Sequence, residues 1–369
     1  MKLLIIGIGD CGCRLAGEFS RLNKRAKAER RVSIVTRAYA VNDDQAILKV
    51  LTKSSSGGLQ PVLVPNSLGD ESNSIEAGAE LMRGESERVM AAMKPGEFFE
   101  TDAFLIIAGA AGSFGSGGAP VIAQRLKEHY VGKPVYVLII LPFKSEETTP
   151  QCVYNTAICL KSIHGIADAV FLVANEGLMT EGNIASNENM GSVNKEIALP
   201  FYDLLCASEL GGSGNVGARI LGVGDIAQTL AGWTAIGVGK TQFQTSRFPW
   251  RRGQDFREKG SGTLKTMEAM NAALSRLLIS CKLEDAGKAL YFLSVPAKEA
   301  NVDMSKVLGN HLRELAYNAE IRGGDFYGAR DFAQVTVVIS ELTYVDEVKG
   351  YYDRAAELAQ TLKTKKKKG

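Results

Sequence analysis

Histidine is scarce in this chain. Only His129, His164 and His311 are present, far apart in sequence, so a histidine-based metal site is not expected. Cysteine is sparse too. The six residues form no Cys-x-x-Cys pair and none of the spacings of a small disulfide scaffold. Free thiols in a reducing cytoplasm are the expectation. No run reaches the roughly 18 consecutive apolar residues of a membrane span. The opening "MKLLIIGIGDCG" follows its short apolar run with glycines, where a leader would need a small-residue cleavage site, so it reads as a first strand. Net charge is only +2, which gives no bulk signal for nucleic acid.

What is present is a globular composition, 45% hydrophobic and 23% charged over 369 residues, enough for two domains. Strand-length apolar runs recur at 2–9, 33–42, 61–65, 103–109, 135–142 and 169–175. They are almost continuously hydrophobic, as parallel strands covered on both faces must be. Helical patterns at 11–23, 75–93, 119–130 and 151–166 alternate with them, which predicts an open α/β sheet. A long helix follows near 192–209, with Pro200 expected to kink it. Beyond a glycine-rich break, strands at 233–241, 289–296 and 332–342 and helices near 262–280 and 303–319 predict a second, smaller α/β unit. The division is therefore 1–185, a central helix at 186–212, a second unit at 213–348 and a C-terminal helix with a basic tail at 349–369. The segment 247–262 reads as an exposed basic loop, and the closing "KTKKKKG" as a solvated tail. An acidic partner, an acidic membrane surface or RNA are the functional alternatives for that tail.

Two loops after strands are rich in glycine, and such loops are where α/β sheets bind ligands. The first begins at Gly7 and satisfies a G-x-G-x-x-G spacing through Gly9 and Gly12. With Asp43 or Asp44 as a ribose ligand, it is compatible with a dinucleotide site. No catalytic histidine or cysteine dyad accompanies it. The second loop lies in "GAAGSFGSGGAPVIA" (109–123). Free amides at a helix start, with the helix dipole, favour anionic oxygens, and glycines let the backbone approach them. Ser113 and Ser116 are candidate hydroxyl donors. A tight turn packing helix on sheet is the alternative for this run. No lysine follows the glycines, so it is not a G-x-x-x-x-G-K-[ST] loop.

At this loop the sequence resembles the tubulin/FtsZ superfamily, whose signature is GGGTG[TS]G followed in FtsZ-type chains by AAPVIA. The resemblance covers most of the chain. "GDCGCR" (9–14) is similar to the tubulin "GQCGNQ", and "AVNDDQAIL" (40–48) to the FtsZ "AVNTDAQAL". The segments 72–89, 134–142, 167–175 and 192–201 follow in family order. "GSGGAPVIAQRLKEHY" and "TLAGWTAIGVGK" resemble the archaeal CetZ branch. The resemblance implies a Rossmann-like GTP-binding domain, GTP or GDP with Mg²⁺, and head-to-tail polymers in the cytoplasm, with itself or related FtsZ and CetZ proteins as partners. It implies phosphate contacts from Asp10, Cys11, Gly12 and Arg14, with Gly9 in the same nucleotide site. In the second loop Gly112, Ser113, Phe114, Gly115, Ser116 and Gly117 would cradle the β- and γ-phosphates, and Gly109, Ala110 and Ala111 would belong to the same nucleotide site. Asn42 and Asp44 would line the pocket. Pro142 would belong to the nucleotide site, either Glu146 or Glu147 would face the ribose, and Asn175 and Asn194 would read guanine, since an amide side chain offers both donor and acceptor. Asp10, Asp70 or Glu71 are candidate outer ligands of magnesium.

The family completes its site across a subunit contact. A loop after the central helix, here 215–230, brings two acids three residues apart to the next subunit's nucleotide. This chain has Gly222 and Asp225 at those places, so one acid is missing. Asp225 is also placed to cap a helix. Phe114 stands where the signature has threonine. A bulky ring in a phosphate loop must point away from the anion or restrict the site. Phosphoryl transfer depends on positioning and electrostatics, so slow hydrolysis is expected. A non-hydrolysing scaffold that polymerises or regulates a homologue is the alternative.

Overall fold

The computed structural model describes residues 1–54, 58–66, 73–174, 178, 187–209, 219–243, 256–328 and 331–368. Ten strands form one sheet: β1 (Leu3–Ile8), β2 (Val35–Asn42), β3 (Leu59–Leu63), β4 (Ala103–Gly109), β5 (Val135–Leu141), β6 (Ala169–Ala174), β7 (Gly232–Gln242), β8 (Ala286–Pro296), β9 (Glu320–Gly328) and β10 (Phe332–Leu342). The helices are α1 (Gly9–Arg30), α2 (Gln45–Ser54), α3 (Ile75–Ala92), α4 (Pro95–Phe99), α5 (Ser113–His129), α6 (Pro150–His164), α7 (Asn187–Ala207), α8 (Val223–Thr229), α9 (Phe256–Ser275), α10 (Val302–Leu315) and α11 (Asp346–Lys368).

The strand order is β3-β2-β1-β4-β5-β6-β7-β10-β8-β9. The first six strands pair in parallel, and their order reverses between β1 and β4. β1, β4 and β5 are apolar and buried almost throughout because helices cover both faces. β6 then pairs with β7 in parallel over three registered positions, Ala169 with Gly232, Val170 with Trp233 and Phe171 with Thr234. The sheet is therefore continuous from the first unit into the second. Beyond that joint, β10 runs antiparallel to both β7 and β8, while β8 and β9 are parallel.

Each face carries its own core. One holds α3, α5, α6, α9, α10 and α11 through residues such as Met82, Ile122, Leu160, Met270, Leu308 and Tyr351. The other holds α1, α2, α7 and α8 through Phe19, Leu48, Phe201 and Ile226. α7 continues across Pro200, and its buried residues share a cluster with Leu138 of β5 and Phe292 of β8. The central helix is thus packed against both halves of the sheet.

Several elements differ from the sequence reading. α5 starts at Ser113, so the glycine run forms its first turns rather than a loop leading to residue 119. α1 extends to Arg30. β9, "EIRGGDFYG", has no strand-like pattern; a Cβ on its Gly323 would lie 2.2 Å from the Tyr291 ring, so the neighbouring strand's side chain fills the space. The backbone of the lysine run continues α11 as helix to Lys368, where a solvated tail was expected. The basic loop at 247–262 lies largely outside the described residues. Among the described residues, no helix is long and apolar enough to cross a membrane.

Candidate functional site

In an open α/β sheet, ligands bind where the strand order reverses, at the carboxyl ends of the strands. Here that point lies between β1 and β4, and the two glycine loops meet there. α1 begins directly after β1 and α5 four residues after β4. Neither helix has a side-chain cap on its first turn. Their leading amides therefore lack an intrahelical partner and project from neighbouring strands. The starts touch: Cβ positions built on Gly9 and Gly109 lie 3.4 Å from the Gly115 amide and from Cys11 Cβ. Gly9 has φ +70°, which turns the chain sharply from strand into helix and suits glycine.

The glycines divide by role. A Cβ on Gly112 would meet nothing within 4 Å, so the space before α5 is open. By contrast, Cβ atoms on Gly117 and Gly78 would lie 2.3 Å from Ile75 O and 2.0 Å from Ser113 O. These two let α3 and α5 approach backbone to backbone. Gly12 does the same for α1, since its Cβ would lie 2.1 Å from Ile107 O. Close packing thus accounts for part of the small-residue run and open access for the rest.

The Phe114 ring packs inward, with Cδ1 4.0 Å from where a Cβ on Gly9 would stand. It is buried and belongs to the core cluster that contains Ile8, Ile75 and Met82. Ser116 is fully buried, and its hydroxyl donates back to the Gly112 carbonyl within its own helix. It is not a free donor at the mouth of the loop; half-buried Ser113 is the better placed of the two.

Asp10 is exposed at the start of α1, and the buried Asn42 amide donates to its Oδ1 at 2.7 Å. Asn42 Oδ1 in turn accepts the Asp44 N–H at 3.2 Å. Asp44 caps a helix start. Its Oδ1 accepts from Ala46 N at 2.6 Å and Ile47 N at 3.3 Å, capping α2. Arg14 and Asn194 come together with Glu18 and Arg21 in a cleft of about 190 Å³ between α1, α2 and α7. Asn175, Asp70 and Glu71 lie outside the described residues.

The sequence left Glu146 and Glu147 open, and the two carboxylates have different hydrogen-bond partners. Burial pushes the Cys11 thiol up to about 12, and the charge of the Glu146 carboxylate adds to that rise. Glu147 turns toward α11, where it meets Tyr351 and Arg354. Pro142 is buried at the end of β5.

Asn155, in the middle of α6, was not singled out from sequence. It is 1% exposed. Its Nδ2 donates to Ala111 O and Asn73 O, both at 2.9 Å, and its Oδ1 accepts from Ile75 N at 3.1 Å. One side chain thereby ties the second glycine loop to the start of α3. The only hint in the sequence was an amide inside the apolar "CVYNTAICL".

Asp225 sits at the third position of α8. Its Oδ2 accepts the Gly222 N–H at 2.8 Å, and its Oδ1 lies 3.8 Å from Arg322 Nε. Among the described residues, no group of three metal-ligating side chains is present.

Residues 2–183 match the tubulin/FtsZ family, GTPase domain, and residues 185–357 match the tubulin-like CetZ C-terminal domain. CetZ3 of Haloferax volcanii is 28% identical over 99% of this chain and 94% of its own. CetZ1 of the same organism is 29% identical over 97% of this chain and 92% of its own. Among solved structures, the GDP-bound CetZ1 monomer has a TM-score of 0.80 at 26% identity, covering 97% of this chain and 100% of that one. The GTPγS-bound CetZ2 protofilament, also from H. volcanii, shares the fold at a TM-score of 0.81 and 24% identity, covering 98% of this chain and 100% of that one. Two adjoining domain matches that together run from residue 2 to residue 357, over a sheet with this switch point, place the chain in the tubulin/FtsZ family, in its CetZ-like branch.

Proposed function

We propose that this cytoskeletal protein binds GTP across the carboxyl ends of β1 and β4 and assembles head-to-tail into protofilaments, hydrolysing GTP slowly at the subunit contact. The observation that carries the reading is the pair of uncapped helix starts in contact at the switch point. A phosphate chain held there gains amide donors from two helices and both dipoles. The amides of Gly9 to Gly12 and of Ser113 to Gly115 are its holders. Guanine falls toward Arg14 and Asn194, and the ribose toward Glu146. Magnesium is carried mainly by phosphate oxygens and water.

The CetZ2 structure is that of a GTPγS-bound protofilament and the CetZ1 structure that of a GDP-bound monomer. By analogy, Asp225 of one subunit faces the nucleotide of the next and orients the attacking water. A contact between two unlike surfaces that does not close yields a filament.

Electron microscopy and phosphate-release assays with GTP, with GDP and without nucleotide test this. GTP is expected to give filaments and slow phosphate release that Asp225→Ala abolishes. Absence of filaments under every nucleotide would sink the polymer reading. The second reading, a GTP-binding scaffold without turnover, is favoured by the missing acid at Gly222 and by the engagement of Asp225 with Gly222 and Arg322. Filaments without phosphate release would establish it.

A further inference from the structure

The loop at 142–149 carries two neighbouring acids with different partners. Glu146 is exposed and accepts the Phe143 N–H at 3.0 Å, and its charge helps to raise the Cys11 thiol at the first glycine loop. Glu147 accepts from the Tyr351 hydroxyl through Oε1 and meets Arg354 Nη1 at 2.5 Å through Oε2. These partners lie more than 200 residues along the chain, on α11.

Their own seats are firm. Tyr351 is 3% exposed and belongs to the core that α11 shares with α6. Burial, followed by the bond to Glu147, holds its phenol well above the usual range. The Arg354 guanidinium lies 4.5 Å from the centroid of the Tyr351 ring, so the three side chains form one compact unit. Support from beneath the loop is incomplete. A cavity of about 620 Å³ lies between Pro142, Glu147, the end of β6, residues 274–281 and α11. The backbone bonds of Glu146 and Glu147 are turns onto Phe143 within the same loop. Glu147 therefore bridges the open seam between this loop and the C-terminal helix.

We propose that Glu147, Tyr351 and Arg354 form a clamp through which α11 positions the loop 142–149 and so sets the affinity for nucleotide. The three are positioning residues that act through Glu146. The inference rests on the nucleotide site described above. It gives the C-terminal helix a direct hold on that site within one subunit.

Calorimetric titration of the full chain with GTP tests it. Glu147→Gln, Tyr351→Phe and Arg354→Gln should each weaken binding about fivefold to tenfold, a coupling of the size common between linked sites. Tyr351→Phe keeps the buried ring and so guards against a folding artefact. The double variant Glu147→Gln/Arg354→Gln should be no weaker than Glu147→Gln alone, because both changes break one link. Asp353→Ala, on the exposed side of α11, should bind as the wild type does. Unchanged affinity in the clamp variants overturns the proposal even if their melting temperatures fall, as does simple additivity in the double variant. A wild type that binds no GTP overturns the nucleotide reading and the clamp with it, and that result is visible before any variant is made.

Discussion

Asp225 turns one carboxylate oxygen back onto the Gly222 N–H, 2.8 Å away at the start of α8. That bond is one half of a capping box. The residue expected to polarise water for the neighbouring subunit also holds the start of its own helix, and its side chain is still 44% exposed. Two substitutions separate the roles. Asp225→Ala should cost about 1 kcal/mol through the lost cap and abolish phosphate release. Asp225→Asn keeps an acceptor for the Gly222 N–H, so it should stay within about 0.5 kcal/mol of wild type and still release no phosphate. Urea unfolding alongside phosphate release measures both. Retained turnover in Asp225→Asn would mean that its charge is not needed.

Restoring the missing acid is the complementary experiment. Gly222 has φ −83°, an ordinary value for any residue, and a Cβ there would stand 3.3 Å from Asp225 Oδ2. The backbone therefore accepts Gly222→Asp with a small local adjustment. Filaments of this variant should release phosphate at least about tenfold faster than wild type, if one water-orienting group is worth what a single preorganised group is elsewhere. An unchanged rate would show that slow turnover has another cause.

Phe114→Thr would place the signature residue in the second glycine loop. The ring is buried beside the first strand and α3, so the substitution opens a void. It should cost about 3 kcal/mol of stability, in the range of large-to-small core changes. It should bring no gain in GTP hydrolysis, since the ring does not occupy the open space before α5. Thermal unfolding and phosphate release check the two halves. A variant that is both stable and faster would mean that the ring does restrict the anion.

The parallel half of the fold was legible because its strands, such as "LIIGIG" and "AFLIIAG", are covered on both faces and have to be continuously apolar. The second glycine loop was legible as a strand-to-helix junction for the same reason. Its division of labour was not. Gly112 and Gly117 are identical in sequence, yet one borders open space and the other a helix backbone, and only the crossing of α3 with α5 decides which. The different partners of Glu146 and Glu147 depend on α11, some 200 residues away. β9 escaped notice because Tyr291 on the neighbouring strand supplies the bulk that its own glycines lack.

The two halves are also joined at a charged pair. Arg30 at the end of α1 binds Asp203 on α7, and Gln334 of β10 donates to the same carboxylate. Their side chains are 6% and 1% exposed. Arg30 also lies 5.0 Å from the Tyr202 ring centroid and 5.1 Å from that of Phe326. Removing one partner strands the other charge away from water. Arg30→Met or Asp203→Leu alone should cost about 3–5 kcal/mol, and the pair of changes together less than the sum. Urea unfolding of the three variants measures this. Full additivity would mean that the two groups do not depend on each other.

Glu18 gives a pH test on the α1 side of the candidate guanine cleft. Its side chain is 7% exposed with Arg21 at 2.7 Å. Burial raises its carboxyl above the ordinary range, while Arg21 and Lys195 pull the other way without cancelling the effect. The folded chain therefore keeps this proton to a higher pH than the unfolded chain does. From the unfolded value, about 4.3, up to the folded one, stability drains away as pH rises. At neutral pH the fold carries a buried charge that the unfolded chain solvates better. Glu18→Gln removes that charge while keeping the shape. It should melt above the wild type at pH 7, and the gap should close as the pH falls toward 4. A variant that melts below the wild type at pH 7 would mean that the Arg21 pair outweighs the burial.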